Sequence, residues 1–257
     1  MCKQWVATTV AILGLSAANA AGGEITARGS DSTLGLVKAL AEAFQKASGT
    51  IIRLEGGGSG AGAEACMAGQ VQLAFLSRDL KEEEKKGGLV GVAYAHDAVA
   101  VIVNPANPTN ELTKAQLHDL FTGANGQWSD GKPVVLFNRN ENSGTRECFQ
   151  HAVLGKDAFG PKATVKHDAA LLSTVAKVPT AVGYTSAGEV NNTVKVLNID
   201  GVAPTPESIR SGKYPICRTL TLATKGAPSG DVKAFIDFVL SDQGQKIVAD
   251  TGYVPIK

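Results

Sequence analysis

Apolar and polar positions along this chain alternate between two periods, one near two residues and one near 3.6. Leu36, Val37, Leu40, Ala41 and Phe44 share one face of a helix predicted over residues 33–48, and Gly49 is its stop. Residues 24–27, 51–55 and 71–76 read as strands, and 62–68 as a short helix ending at Gly69. The charged run at 81–86 reads as a solvated helix face. DAVAVIVN at 97–104, closed by Pro105, reads as a strand crossing between two lobes. Thr113 opens a helix with a capping box to Gln116 and a staple between Leu112 and Leu117. A strand at 134–137, a helix at 145–153, strands at 181–185 and 193–199, and a return strand at 220–223 follow. Val232, Phe235, Ile236 and Val239 form the buried stripe of a last helix over 231–240. Strands alternating with helices predict an α/β fold, here in two lobes. No internal repeat or low-complexity segment interrupts it.

Three turns in this pattern are rich in Ser and Gly and run straight into helices: Gly29-Ser30-Asp31-Ser32-Thr33, Gly56-Gly57-Gly58-Ser59-Gly60-Ala61-Gly62 and Asn142-Ser143-Gly144-Thr145. A helix start exposes unpaired N–H groups and the positive end of the peptide dipole, and glycine lets the backbone approach a ligand closely. One such turn is ordinary capping. Three of them, with Arg139 four residues before Ser143, point to one small multivalent anion enclosed between the lobes.

Bulk properties narrow the partners. Lys3, the apolar run at 6–15 and Ala18-Asn19-Ala20 form a secretory signal with its cut expected after Ala20. That run is shorter than the roughly 20 residues a membrane span needs. Cys2 precedes it, which argues against a lipid-anchored cysteine at the cleavage point. Losing Lys3 takes the formal charge from +1 to zero, which argues against nucleic acid or an anionic membrane as partner. Anion recognition must therefore come from local geometry. Cys66, Cys148 and Cys217 follow no disulfide or zinc spacing; they read as small buried apolar residues, with one internal disulfide as the alternative. His96, His118, His151 and His167 sit in no metal spacing and read as structural or exposed; no cofactor is expected.

GSDSTLGLVKAL, GGGSGAG, AFLSRDLKEEE, HDAVAVIVNP, LTKAQLHDLFTG, NRNENSGTRECF, PTAVGYTS, IDGVAPTPESI, YPICRTL and GQKIVADTGYVP occur in this order. They resemble the phosphate-binding subunits of bacterial ABC importers, in the shorter branch of that family, and the likeness covers the whole mature chain. The resemblance implies a type II periplasmic-binding-protein fold with two interlobe crossing strands. It implies lobe 1 at 21–97 plus 218–257, lobe 2 at 98–217, and a monomer in the periplasm. Inorganic phosphate is then held without metal and passed to a membrane ABC permease. By motif, the backbone of Asp31 and the hydroxyl of Ser32 belong to the first turn, Ser59 to the second, and Arg139, Ser143, Gly144 and Thr145 to the third. Glu141 matches an acidic position that orients the binding Arg in relatives. Arg78 stands where longer relatives carry an Asp that accepts from protonated phosphate and so repels sulfate. Arg78 is accordingly a candidate second fork on the anion, flanked by Ser77 and Asp79 as supporting positions.

The chemistry suits those residue types. A desolvated dianion needs a donor on every oxygen. Serine and threonine hydroxyls adapt their rotors, and arginine offers a planar charged fork. At roughly 1.5–3 kcal/mol per charged hydrogen bond, half a dozen donors support micromolar or tighter binding, about −8 kcal/mol, after ordering and closure. Sulfate or arsenate in place of phosphate, or a sensing rather than transport role, are the near alternatives. Two further readings come from other classes. Gly58-x-Gly60-x-x-Ala63 after a strand, with Arg78 about 20 residues on, matches an NADP fingerprint, against which stands the short helix before Gly69. Ser59 or Ser143 as a hydrolase nucleophile lacks both G-x-S-x-G and a histidine nearby in sequence. A binder, not an enzyme, is the expectation.

Overall fold

A computed structural model describes residues 23–166 and 168–256; the leader expected over residues 1–20, and His167, lie outside the described residues. From the start, β1 (Glu24–Gly29) runs through a tight turn into α1 (Leu34–Ser48), which ends on Gly49 in the left-handed region at φ 79°. β2 (Ile51–Glu55) feeds the glycine turn, and α2 (Ser59–Met67) begins on Ser59, three residues earlier than its apolar pattern predicts. β3 (Leu73–Leu76), α3 (Glu82–Lys86) and the 15-residue β4 (Leu89–Val103) follow. Beyond β4 come β5 (Glu111–Leu112), α4 (Lys114–Thr122) and β6 (Val135–Arg139). Next is α5 (Gly144–Phe149), prolonged by a π-helical turn at Gln150–Leu154. β7 (Thr164–Lys166), α6 (Asp168–Lys177) and β8 (Ala181–Ser186) complete that region. β9 (Lys195–Val196) and β10 (Asn198–Ile199) split the predicted 193–199 strand between two partners. α7 (Pro206–Arg210), β11 (Cys217–Lys225), α8 (Gly230–Leu240), α9 (Asp242–Asp250) and β12 (Val254–Pro255) close the chain.

The strands are ordered β2-β1-β3-β11-β4-β8-β6-β7. Ladders at the two ends are parallel, and those around β11 and β4 are antiparallel. β4 spans roughly 50 Å at strand rise and belongs to both halves. Its residues up to Ala98 pair with β11, and Val99–Val103 pair with β8. The return passes through Ile216, whose carbonyl accepts from Val99 N–H at 2.8 Å. Around this neck the molecule has two lobes.

Each lobe covers both faces of its sheet, which explains strands that are apolar on every position. Leu73 and Phe75 of β3 join a cluster with Leu40 and Phe44 of α1 and Phe235 and Ile236 of α8; Ala74 and Leu76 face Ala63 and Cys66 of α2. In the second lobe Val99, Val101 and Val103 of β4 pack with Leu117, Phe121 and Phe149, while Ala100 and Ile102 meet Leu171 and Val175. The Thr113 cap forms as predicted, with Gln116 N–H donating to Thr113 Oγ1 and the Gln116 side chain returning to Thr113 N–H. Cys66, Cys148 and Cys217 are thiols, Cys66 buried and Cys148 and Cys217 half-buried. Burial pushes the thiols of Cys148 and Cys217 up to about 11. Among the described residues, no helix is long and apolar enough to cross a membrane.

Candidate functional site

The first two turns are bound to each other before they meet anything else. Gly58 N–H donates to the Gly29 carbonyl at 3.0 Å, and Gly57 N–H donates to Asp31 Oδ1 at 2.7 Å. The Asp31 carboxylate therefore braces the glycine turn. Gly58 sits at φ +100°, where a side chain is strained, and a Cβ there would stand 2.8 Å from the carbonyl carbon of Asn142. Ser59, at the first position of α2, is fixed from β3: Ser77 N–H donates to its Oγ at 3.0 Å and the two hydroxyls share a 3.2 Å bond. Tyr253 Oη donates to the Ser32 carbonyl at 2.6 Å and pins the first turn from the C-terminal side.

The third turn comes from the other lobe. β6 delivers Arg139, and Ser143 caps α5 by accepting from Arg146 N–H at 3.2 Å. Gly144 then presses into the first lobe. A Cβ there would lie 2.6 Å from Ser77 Oγ and closer still to Ser59 Oγ. Gly60 N–H donates to the Asn142 carbonyl at 3.3 Å, joining turn to turn across the cleft. Thr145 Oγ1 and Ser32 Oγ share a 2.7 Å bond, and Arg139 Nη1 donates to Ser32 Oγ at 3.3 Å. Ser32, Ser59, Ser143, Thr145 and Arg139 are each at most 3% exposed. The three predicted turns thus converge on one buried, donor-rich point.

Three residues behind the cluster, Arg218, Asp97 and Ser186, were not anticipated. Arg218 donates from Nη1 to Thr145 Oγ1 at 2.7 Å, and from Nε and Nη2 to Asp97 Oδ2 at 2.9 and 2.7 Å. Ser186 Oγ donates to the same carboxylate oxygen at 2.8 Å. Burial works against the Arg218 charge, but Asp97 outweighs it and holds the guanidinium proton more tightly than usual. The signal was present in the sequence: Asp97 opens a run of buried β-branched residues, and a charge in that position requires a partner. Chemically, the site can bind an anion; among the described residues neither Ser59 nor Ser143 has a histidine at hydrogen-bond distance. At nine residues, α2 is also short for the helix of a dinucleotide fingerprint.

A family model described as the PBP superfamily domain matches residues 15–243. The chain is 34% identical over 249 residues to the phosphate-binding protein PstS of Bacillus subtilis strain 168, covering 92% of this chain and 82% of that protein. It belongs to the PstS family. A crystal structure from Clostridium perfringens, described as a phosphate ABC transporter substrate-binding protein with bound phosphate, superposes with a TM-score of 0.88 at 33% identity. It covers 91% of this chain and all of that one. An ABC-type phosphate transport receptor from Vibrio cholerae superposes at 0.77 with 28% identity, covering 90% of this chain and 99% of that one.

Within the PstS frame four expectations need correction. Arg78 does not turn its fork to the cluster. Nη1 and Nη2 donate to Glu84 at 2.8 and 2.6 Å, Nη1 also donates to the Asp79 carbonyl at 2.9 Å, and Nε pairs with Glu147 at 2.9 Å. Burial opposes charge on both Arg78 and Glu84, yet their pairing prevails, raising the Arg78 pKa and lowering that of Glu84. Glu84 is buried, so the 81–86 run is not wholly a solvated face. Asp79 is exposed and does not point inward. Glu141 is exposed too, and its place in the turn faces solvent rather than the buried Arg139. Ser77, in contrast, supports Ser59 as expected.

Proposed function

We propose that this PstS-family chain binds inorganic phosphate between its lobes, closes on it and delivers it to a membrane ABC permease. The carrying observation is the buried meeting of Ser32, Thr145 and Arg139, with Gly144 set against Ser59. The proposed ligand set is the Asp31 backbone, Ser32, Ser59, Arg139, Ser143, Gly144 and Thr145, from which Arg78 drops out. Hydroxyls and N–H groups from both lobes meet a tetrahedral anion on several sides, and Arg139 supplies charge at the buried centre. Ligand and closure are coupled because the donors of the third turn reach those of the first two only when the lobes are together.

The proposed lobe division is 21–97 plus 218–257 against 98–217, supported by the switch of β4 pairing between Ala98 and Val99. We further propose a monomer acting in the periplasm after cleavage behind Ala20. Calorimetric titration of ligand-stripped protein with phosphate and, separately, sulfate tests the functional reading. Micromolar or tighter phosphate binding with weaker sulfate binding is expected. Tighter sulfate than phosphate, or no oxyanion heat at all, overturns it.

A further inference from the structure

Arg218 reaches the cluster from behind. It is the second residue of β11 and lies opposite Asp97 of β4 in the ladder, at the neck where β4 leaves one lobe for the other. Two of its donors go to a single oxygen, Asp97 Oδ2, which Ser186 also caps. Its third donor crosses to Thr145 Oγ1 at 2.7 Å, from one lobe to the other. All four side chains are at most 7% exposed.

A threonine hydroxyl has one proton and two lone pairs. Arg218 occupies a lone pair of Thr145, since a guanidinium only donates. The other partner of Thr145 is Ser32 Oγ, which itself accepts from Arg139. The Thr145 proton is therefore directed away from Arg218, toward the centre of the cluster. A hydroxyl that accepts from a cation is also polarised into a better donor. Asp97 contributes by fixing the guanidinium plane through two bonds and by matching its charge, so that the pair as a whole adds little net field.

We propose that Asp97 and Arg218 are positioning residues that make Thr145 an obligate hydrogen-bond donor to the bound anion. The inference rests on the phosphate reading above. The pair selects for a ligand oxygen that accepts at this position, and it links the neck directly to ligand contact.

The test is a double-mutant cycle read by calorimetry up to millimolar phosphate, with Arg218→Lys, Thr145→Val and both together. Lysine keeps the charge but cannot span Asp97 and Thr145 with a fixed fork. Arg218→Lys is expected to weaken phosphate binding roughly 10-fold in the parent and less than about twofold in the Thr145→Val background. A purely structural role would give the same factor in both backgrounds, and that result overturns the proposal, as does a parent-like affinity for Arg218→Lys. If Arg218→Lys fails to fold, the charge-free pair Asp97→Leu with Arg218→Met replaces it in the same cycle. Absence of phosphate binding by the unaltered protein overturns the functional reading instead.

Discussion

The two lobes meet along two seams, one inner and one outer, and both use α5. At the inner seam the helix start offers Gly144 and Thr145 to Ser59, Ser77 and Ser32, all buried. At the outer seam, one turn further along, Glu147 pairs with Arg78 at 2.9 Å and with Lys81 at 3.0 Å, and the Glu147 and Lys81 side chains are 40% and 39% exposed. One helix thus carries contacts of two physical kinds. The inner ones are short, dry and shape-determined, so removing a partner leaves a buried polar group unsatisfied. The outer ones are half-solvated ion pairs, weak and screened by salt. The comparison teaches that affinity should reside in the inner seam, while the outer seam tunes closure.

Arg139→Ala breaks the comparison hardest. Losing a bidentate charged fork costs two bonds at about 1.5–3 kcal/mol each, so phosphate affinity is expected to fall at least 100-fold in a calorimetric titration. Gly144→Ala comes next, because its Cβ meets the Ser59 and Ser77 hydroxyls, which are bonded to each other while Ser77 N–H holds that of Ser59. Overpacking of this kind costs roughly 1–3 kcal/mol, and the loss should appear in closed-state affinity rather than in the melting temperature of the ligand-free protein.

The Arg78–Glu84 pair gives a pH test. The Glu84 pKa is lowered on folding, so its contribution is whole above the ordinary glutamate value of 4.5 and is lost as pH falls through the lower folded value. Glu84→Gln should therefore destabilise the protein by about 1–3 kcal/mol at pH 7 and shrink the acid-side loss in thermal melts. Glu147→Gln is smaller, about 0.2–1 kcal/mol, weakening phosphate binding up to about fivefold at low salt and less at high salt. Glu141→Gln, on an exposed side chain, should change affinity less than about twofold; a large loss would reinstate it as a partner of Arg139.

Local signals were legible and distant ones were not. The α1 face, the Thr113 capping box and all three Ser/Gly turns could be read from the chain because turn chemistry and periodicity act within a few residues. The direction of Arg78 could not, since Glu84 lies six residues on and Glu147 arrives from the other lobe. Arg218 was hidden for the same reason: its partners are 121 and 73 residues away in sequence. α9 was missed because DQGQKIVAD is mostly polar and buries Gly244 and Gln245 beside a single fully buried valine, Val248; Gln245 is held by donating to the carbonyls of Tyr94 and Val239. The first half of β4 was missed because its exposed positions interrupt the β-branched run that marks the second half.

The neck between Ala98–Val99 and Ile216–Cys217 is only two chains wide, stitched by a main-chain bond from Val99 to Ile216. Such a pivot lets each lobe rotate as a solid piece, and the travel of any atom scales with its lever arm from the axis. Arg218 sits one residue from Cys217, at the short end of that lever. Its contact with Thr145 is therefore expected to change less in length than contacts farther from the neck for the same swing.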